Sequence, residues 1–135
     1  MKYLFVNISI CSLFAVMIFI SGCKDVINDN PIDNIIIPDS NVSYSQHLAP
    51  VLERKCVPCH NSAYNEKDVD LSVWTNFVDG RIVVPGEPDN SLIVWSIEGR
   101  PPFQLMPPIG SPYAPFTTNQ YNGLKKWIEE GAKNN

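Results

Sequence analysis

The chain has 135 residues, with ten basic against fourteen acidic side chains and a formal charge of −4. That length bounds it to one small domain with a limited core, and the acidic balance argues against nucleic acid as a partner, which calls for a basic face. Four cysteines are present, but their positions give no framework of pairs that would staple a secreted fold.

The N-terminus opens with Lys2 and an apolar run that reads from Leu13 to Ile20 without a polar residue. A basic start, an apolar middle and the small residues Ser21 and Gly22 describe an export signal over residues 1–22. Ile20-Ser21-Gly22-Cys23 resembles a bacterial lipobox, which implies cleavage before Cys23 and acylation of that cysteine. Ordinary signal cleavage and an uncleaved anchor are the alternatives. Asn7, Ser9 and Ser12 break the segment, against the ~20 predominantly apolar residues that a spanning helix needs.

Residues 23–41 read as an acidic, Asn-rich tether, with Asp25, Asp29, Asp33 and Asp39 alongside Pro31 and Pro38. A flexible coil of that length spans about 23 Å on average, enough to let a carried domain swing between partners. Ile35-Ile36-Ile37 interrupts this reading, because three β-branched residues favour packing on the domain as a short strand.

Residues 42–135 form the folded domain. Tyr44, Leu48, Val51 and Leu52 recur at helical spacing, which predicts a first helix capped by Ser43 or Ser45 and bent at Pro50. A second helix starts at Glu87-Pro88-Asp89-Asn90 and carries Leu92, Ile93, Trp95 and Ile97 up to Gly99. Near the C-terminus, Thr117-x-x-Gln120 is a capping box. Tyr121, Leu124, Trp127 and Ile128 then make one apolar face, with Gly131 as the stop. Strand signals are few: Val83-Val84 ends at Pro85-Gly86, and Leu71 to Phe77 fits either state. The expectation is an all-α domain with Trp74, Trp95 and Trp127 in the core.

The first helix runs into Cys56-Val57-Pro58-Cys59-His60, the C-x-x-C-H pattern of c-type haem attachment. On one helical turn, residues three and four apart share a face, so the two thiols and the imidazole are expected to project together. Thioethers to two haem vinyl groups and an imidazole on iron are the chemistry this set supports. A zinc site needs about four ligands, and the sequence offers no second Cys/His pair. A redox dithiol would be expected near a βαβ pattern, and none is visible. The export signal agrees with haem attachment outside the cytoplasmic membrane.

A six-coordinate haem needs a second axial ligand opposite His60. Once residues 1–22 are removed, one methionine remains, Met106, and one other histidine, His47. Met106 sits among Pro101, Pro102, Pro107 and Pro108, which stiffen its loop, and His/Met is a known axial pair; the alternative is a methionine filling a core gap. His47 lies on the helix leading to the proximal side, badly placed for the distal face. Arg81 and Arg100 are candidates for haem propionates.

From Tyr44 to Ala132 the chain resembles a class I c-type cytochrome, in particular the planctomycete-type cytochrome c domain. The resemblance rests on Leu48-Ala49-Pro50-Val51-Leu52 leading into Cys56-Val57-Pro58-Cys59-His60, then on Asp70-Leu71-Ser72 and on Val84-Pro85-Gly86-Glu87-Pro88 with Ser91-Leu92. It continues with Met106-Pro107-Pro108 and Leu124-x-x-Trp127-Ile128-x-x-Gly131-Ala132. It implies a cytochrome c-like fold with the N- and C-terminal helices packed together around one covalent haem c. Cys56 and Cys59 would be the thioether sites, His60 the proximal and Met106 the distal ligand. The expected function is single-electron transfer between redox partner proteins in the bacterial cell envelope, on a lipid bilayer reached through acylated Cys23. A haem enzyme or small-ligand sensor with an open distal site is the competing class, and a zinc module the third.

Overall fold

The computed structural model describes residues 31–64 and 66–135, so the expected export signal and Cys23 lie outside the described residues. Every regular element among the described residues is helical, as the sequence pattern predicts. Four α-helices are α1 (Ala49–Lys55), α2 (Trp74–Phe77), α3 (Leu92–Glu98) and α4 (Thr118–Glu129).

The first helix is not one rod bent at Pro50. Ser43 caps a π-turn over Tyr44–Leu48, and its side chain accepts from the Gln46 N–H. The Ala49 N–H then reaches back five residues to the Tyr44 carbonyl. Proline lacks the N–H that would continue the ladder and its ring crowds the preceding turn; the wider π register meets this demand, and α1 starts afresh with Pro50 in its first turn. Leu48, Val51 and Leu52 are fully buried. Pro58 disfavours helical backbone at Val57, and α1 ends just before Cys56.

The capping box of α4 is formed in both directions, Gln120 N–H to Thr117 Oγ1 at 3.2 Å and Thr117 N–H to Gln120 Oε1 at 3.1 Å. At the other end, the Ala132 N–H bonds the Trp127 carbonyl and the Gly131 N–H bonds that of Ile128, each at 2.9 Å. This Schellman closure needs a left-handed residue, and Gly131 provides it at φ +95°. Helix α3 is shorter than expected: Pro88–Asn90 is a separate 3₁₀ turn, because Ser91 is extended. The buried Ser91 hydroxyl accepts from the Val84 N–H and donates to the Glu87 carbonyl, so it is used to pin the preceding loop.

The entrance of α1 packs against α4. Trp127 is completely buried and stacks on Tyr44 at 5.6 Å between centroids, while Phe77 of α2 lies 6.1 Å from Tyr44 and 6.4 Å from Trp127. Trp74 is half-buried and packs against the core, while Trp95 is half-buried without joining it, a correction to the expectation of three core tryptophans; their indole N–H groups donate to the Ala132 and Asp89 carbonyls.

The described part of the expected tether is not free. Residues 31–43 form a strap over α4, with Ile37 buried but not in a strand. Asn119 holds the Ile37 backbone from both sides, accepting its N–H at 2.8 Å and donating to its carbonyl at 2.9 Å. The approach is close enough that a Cβ on Gly123 would lie 2.4 Å from Ile37 Cγ2, so only glycine fits beneath the strap. Glu130 then accepts from the N–H groups of Asn41 and Val42.

Candidate functional site

Cys56 to His60 lie in a turn that continues past α1, held by Cys59 N–H and His60 N–H to the Cys56 carbonyl at 3.1 and 2.9 Å. The expected helical turn is thus present as a hydrogen-bonded turn just beyond the helix, in which Cys56 is buried and Cys59 exposed. Both are free thiols. Among the described residues no three His, Cys, Asp or Glu side chains converge as metal ligands would, so the donor set of a closed zinc site is not assembled there.

Burial pushes the Cys56 thiol up to about 12; the Lys55 ammonium pulls it back in part, and Cys59 adds to the rise. A thiol neutral at physiological pH is a poor nucleophile, which counts against a redox dithiol. A buried sulfur that carries no charge is well suited to a thioether.

His60 is half-buried, and its Nδ1 lies 3.2 Å from the Glu66 carbonyl. A carbonyl oxygen only accepts, so in the neutral ring Nδ1 carries the proton and Nε2 keeps its lone pair. That is the arrangement by which a ligating histidine is oriented. The backbone is fixed from the other side by Leu71 N–H on the His60 carbonyl at 2.9 Å. Asn61, which the sequence reading passed over, braces the turn: its Nδ2 donates to the Val57 carbonyl and its Oδ1 accepts from the N–H groups of Ala63 and Tyr64. The available signal was an Asn directly after the motif, a residue that favours Asx turns.

Met106 is half-buried, and its N–H bonds the Ser96 carbonyl at 2.8 Å. This ties the proline loop to α3. A groove of about 280 Å³ opens beside Met106, lined by Ile97, Glu98, Leu105, Phe116 and Tyr121 among others. Within it Tyr121 donates to Glu98, which also pairs with Arg100. Tyr121 and Arg100 both hold the Glu98 carboxyl below its ordinary value, the tyrosine bond being the larger cause. Arg100 is thus already engaged by a carboxylate, and Arg81 pairs with Asp79 at 3.7 Å. His47 accepts the Ser43 N–H on its Nδ1 at 3.1 Å, within the entrance of the first helix.

The residues present suit a haem: a neutral buried sulfur, an oriented imidazole with a free nitrogen, and a thioether on an anchored loop. The family described as Planctomycete cytochrome C matches residues 56–110. Over those residues the chain resembles a planctomycete-type cytochrome c domain. The match contains both thiols, His60 and Met106, while the strap and α4 lie outside it. No curated protein and no solved structure matches the chain. A cytochrome c domain implies covalent haem c and haem-based electron transfer. No helix among the described residues is long and apolar enough to cross a membrane.

Proposed function

We propose that the protein is a monohaem c-type cytochrome that carries single electrons in the cell envelope, with iron ligated by His60 and Met106. The observation that carries this reading is the His60 Nδ1 bond to the Glu66 carbonyl, inside a C-x-x-C-H that falls within the family match. Bound haem supplies an iron that changes oxidation state by one electron. Cys56 and Cys59 would hold it covalently, His60 would present Nε2, and the Ser96 carbonyl holds the Met106 backbone in its loop. Export through residues 1–22 and acylation of Cys23 would confine the carrier to a bilayer surface, where redox partner proteins meet it. Two or more acyl chains give stable anchoring, at about 0.8 kcal/mol per buried CH₂.

The test is spectroscopic and is made on protein matured in a host that attaches haem c. Haem should stay with the chain through acid–acetone extraction and denaturing electrophoresis. The oxidised protein should show the weak long-wavelength band of sulfur–iron charge transfer. Met106→Ala should abolish that band, lower the reduction potential and admit small ligands to the iron. A spectrum that lacks this band and is unchanged in Met106→Ala but altered in His47→Ala would show a bis-histidine iron. A high-spin wild type that binds ligands directly would favour an enzyme or sensor.

A further inference from the structure

Lys55 directly precedes Cys56, and only 4 % of it is exposed. Its ammonium donates to Asp33 Oδ1 at 2.7 Å and to the Pro115 carbonyl at 2.5 Å, and lies 5.7 Å from the centre of the Phe116 ring. Asp33 Oδ1 also accepts from Gln120 Nε2 at 3.3 Å; the same amide donates to the Ile32 carbonyl at 2.9 Å. Three segments far apart in sequence therefore meet at one buried ammonium. They are the strap, the residue that opens the thiol turn, and the far end of the loop that carries Met106.

The loop needs such an anchor. Between Gly99 and Phe116 Pro107 is the one buried residue, so apolar packing within the polypeptide does little to fix it. Pro115 and Phe116 line the groove beside Met106, and Lys55 binds the first through its carbonyl and the second through its ring. A buried ammonium deprived of its carboxylate is strongly unfavourable, so strap, turn and loop end are coupled through this contact. The strap has other attachments, Asn119 on Ile37 and Glu130 on Asn41 and Val42, so the Asp33 contact can be cut without removing the strap.

We propose that the Asp33–Lys55 pair is a positioning clamp, which sets the Met106-bearing loop against the Cys56 turn and keeps the Met106 side of the site from opening. The inference rests on the haem reading above. Neither residue is a ligand; both act through Pro115, Phe116 and the backbone of the thiol turn.

Hydrogen–deuterium exchange on the haem-loaded full chain tests it, comparing wild type with Asp33→Ala and with the double variant Asp33→Ala/Lys55→Leu. The double variant leaves no unpaired buried charge, and it decides the question if the single variant does not fold. Exchange is expected to rise about tenfold or more across residues 101–117 as well as 31–35, the signature of a local opening. The sulfur–iron band should weaken and the affinity of the ferric protein for added imidazole should increase, with α4 still protected. Ile37→Ala, which loosens the strap elsewhere, should raise exchange over 35–43 and leave imidazole affinity unchanged. Faster exchange confined to 31–35, with imidazole affinity as in the wild type, would overturn the clamp. Spread of exchange to 101–117 in a protein whose wild type lacks the sulfur–iron band would uphold the clamp and refute Met106 ligation.

Discussion

Two regions of this molecule are built on different principles. The strap, α1 and α4 enclose Ile37, Leu48, Leu52, Leu124, Trp127 and Ile128, all buried, and their backbone groups are matched by Asn119, Gln120 and Glu130. Residues 57–70 and 99–116, which carry His60 and Met106, bury Pro107 alone among the described residues. They are shaped by hydrogen bonds: Asn61 across the turn, Glu66 on His60, Ser96 on Met106. The polypeptide thus makes a frame from its own apolar side chains, while the segments that carry His60 and Met106 are positioned mainly by polar contacts. A covalently held apolar plate would give those segments a surface to pack on.

Removing that plate is the most severe way to probe the division. In Cys56→Ala/Cys59→Ala, covalent haem should be lost entirely, read as absence of haem stain on a denaturing gel. The domain should fold poorly, with the largest loss of exchange protection in residues 57–70 and 99–116 and residual protection in α4. Loss of protection to the same degree in both regions would show that the frame does not exist apart from the site.

The converse probe is Trp127→Ala. The ring is completely buried between Tyr44 and Phe77, and truncating such a side chain costs about 3–5 kcal/mol. Denaturant unfolding should show that loss while haem stays attached and the ferric spectrum at low denaturant is preserved. A spectrum altered as strongly as the stability would mean that frame and site are one cooperative structure.

What the sequence made legible follows the same division, but by range rather than by region. The Thr117–Gln120 box and the Gly131 stop could be read because their chemistry acts across three or four residues. The C-x-x-C-H, which falls within the family match, was legible for the same reason, whereas Met106 is a proposal by elimination among few candidate ligands. Pro50 was read as a bend, since a sequence pattern does not reveal that a π-turn can meet the demand of a missing N–H. The contacts that fix the strap were illegible: Asn119 lies 82 residues from Ile37 and Glu130 88 from Val42. Asp33 looked like tether composition, and nothing local told it apart from Asp29 or Asp39. Its pairing with Lys55 exists only because the fold carries the strap back over the domain.

The smallest expected effect concerns the end of that strap and depends on pH. Glu130 accepts the N–H groups of Asn41 and Val42 at 2.7 and 2.9 Å, and these bonds, the Val42 one first, hold its carboxyl below the ordinary 4.5, with Lys126 and Lys133 adding to the effect. A carboxylate whose folded value is depressed contributes stability that is present above its unfolded value and lost as pH falls through the folded one. Between pH 5 and 8 the clasp should therefore be constant, and acidification through the depressed folded value should release it. The Val42 amide resonance should titrate with a midpoint below 4.5, and Glu130→Gln should abolish that titration. The glutamine retains one acceptor oxygen, so the melting temperature at neutral pH should change less than in either variant above. The ferric spectrum should be unchanged at both pH values, because Glu130 clasps the frame and none of its bonds reaches the thiol turn or the proline loop. A Glu130→Gln protein with altered sulfur–iron absorption would break the comparison at its weakest contact, since the strap would then transmit to the site through its distal end as well as through Asp33.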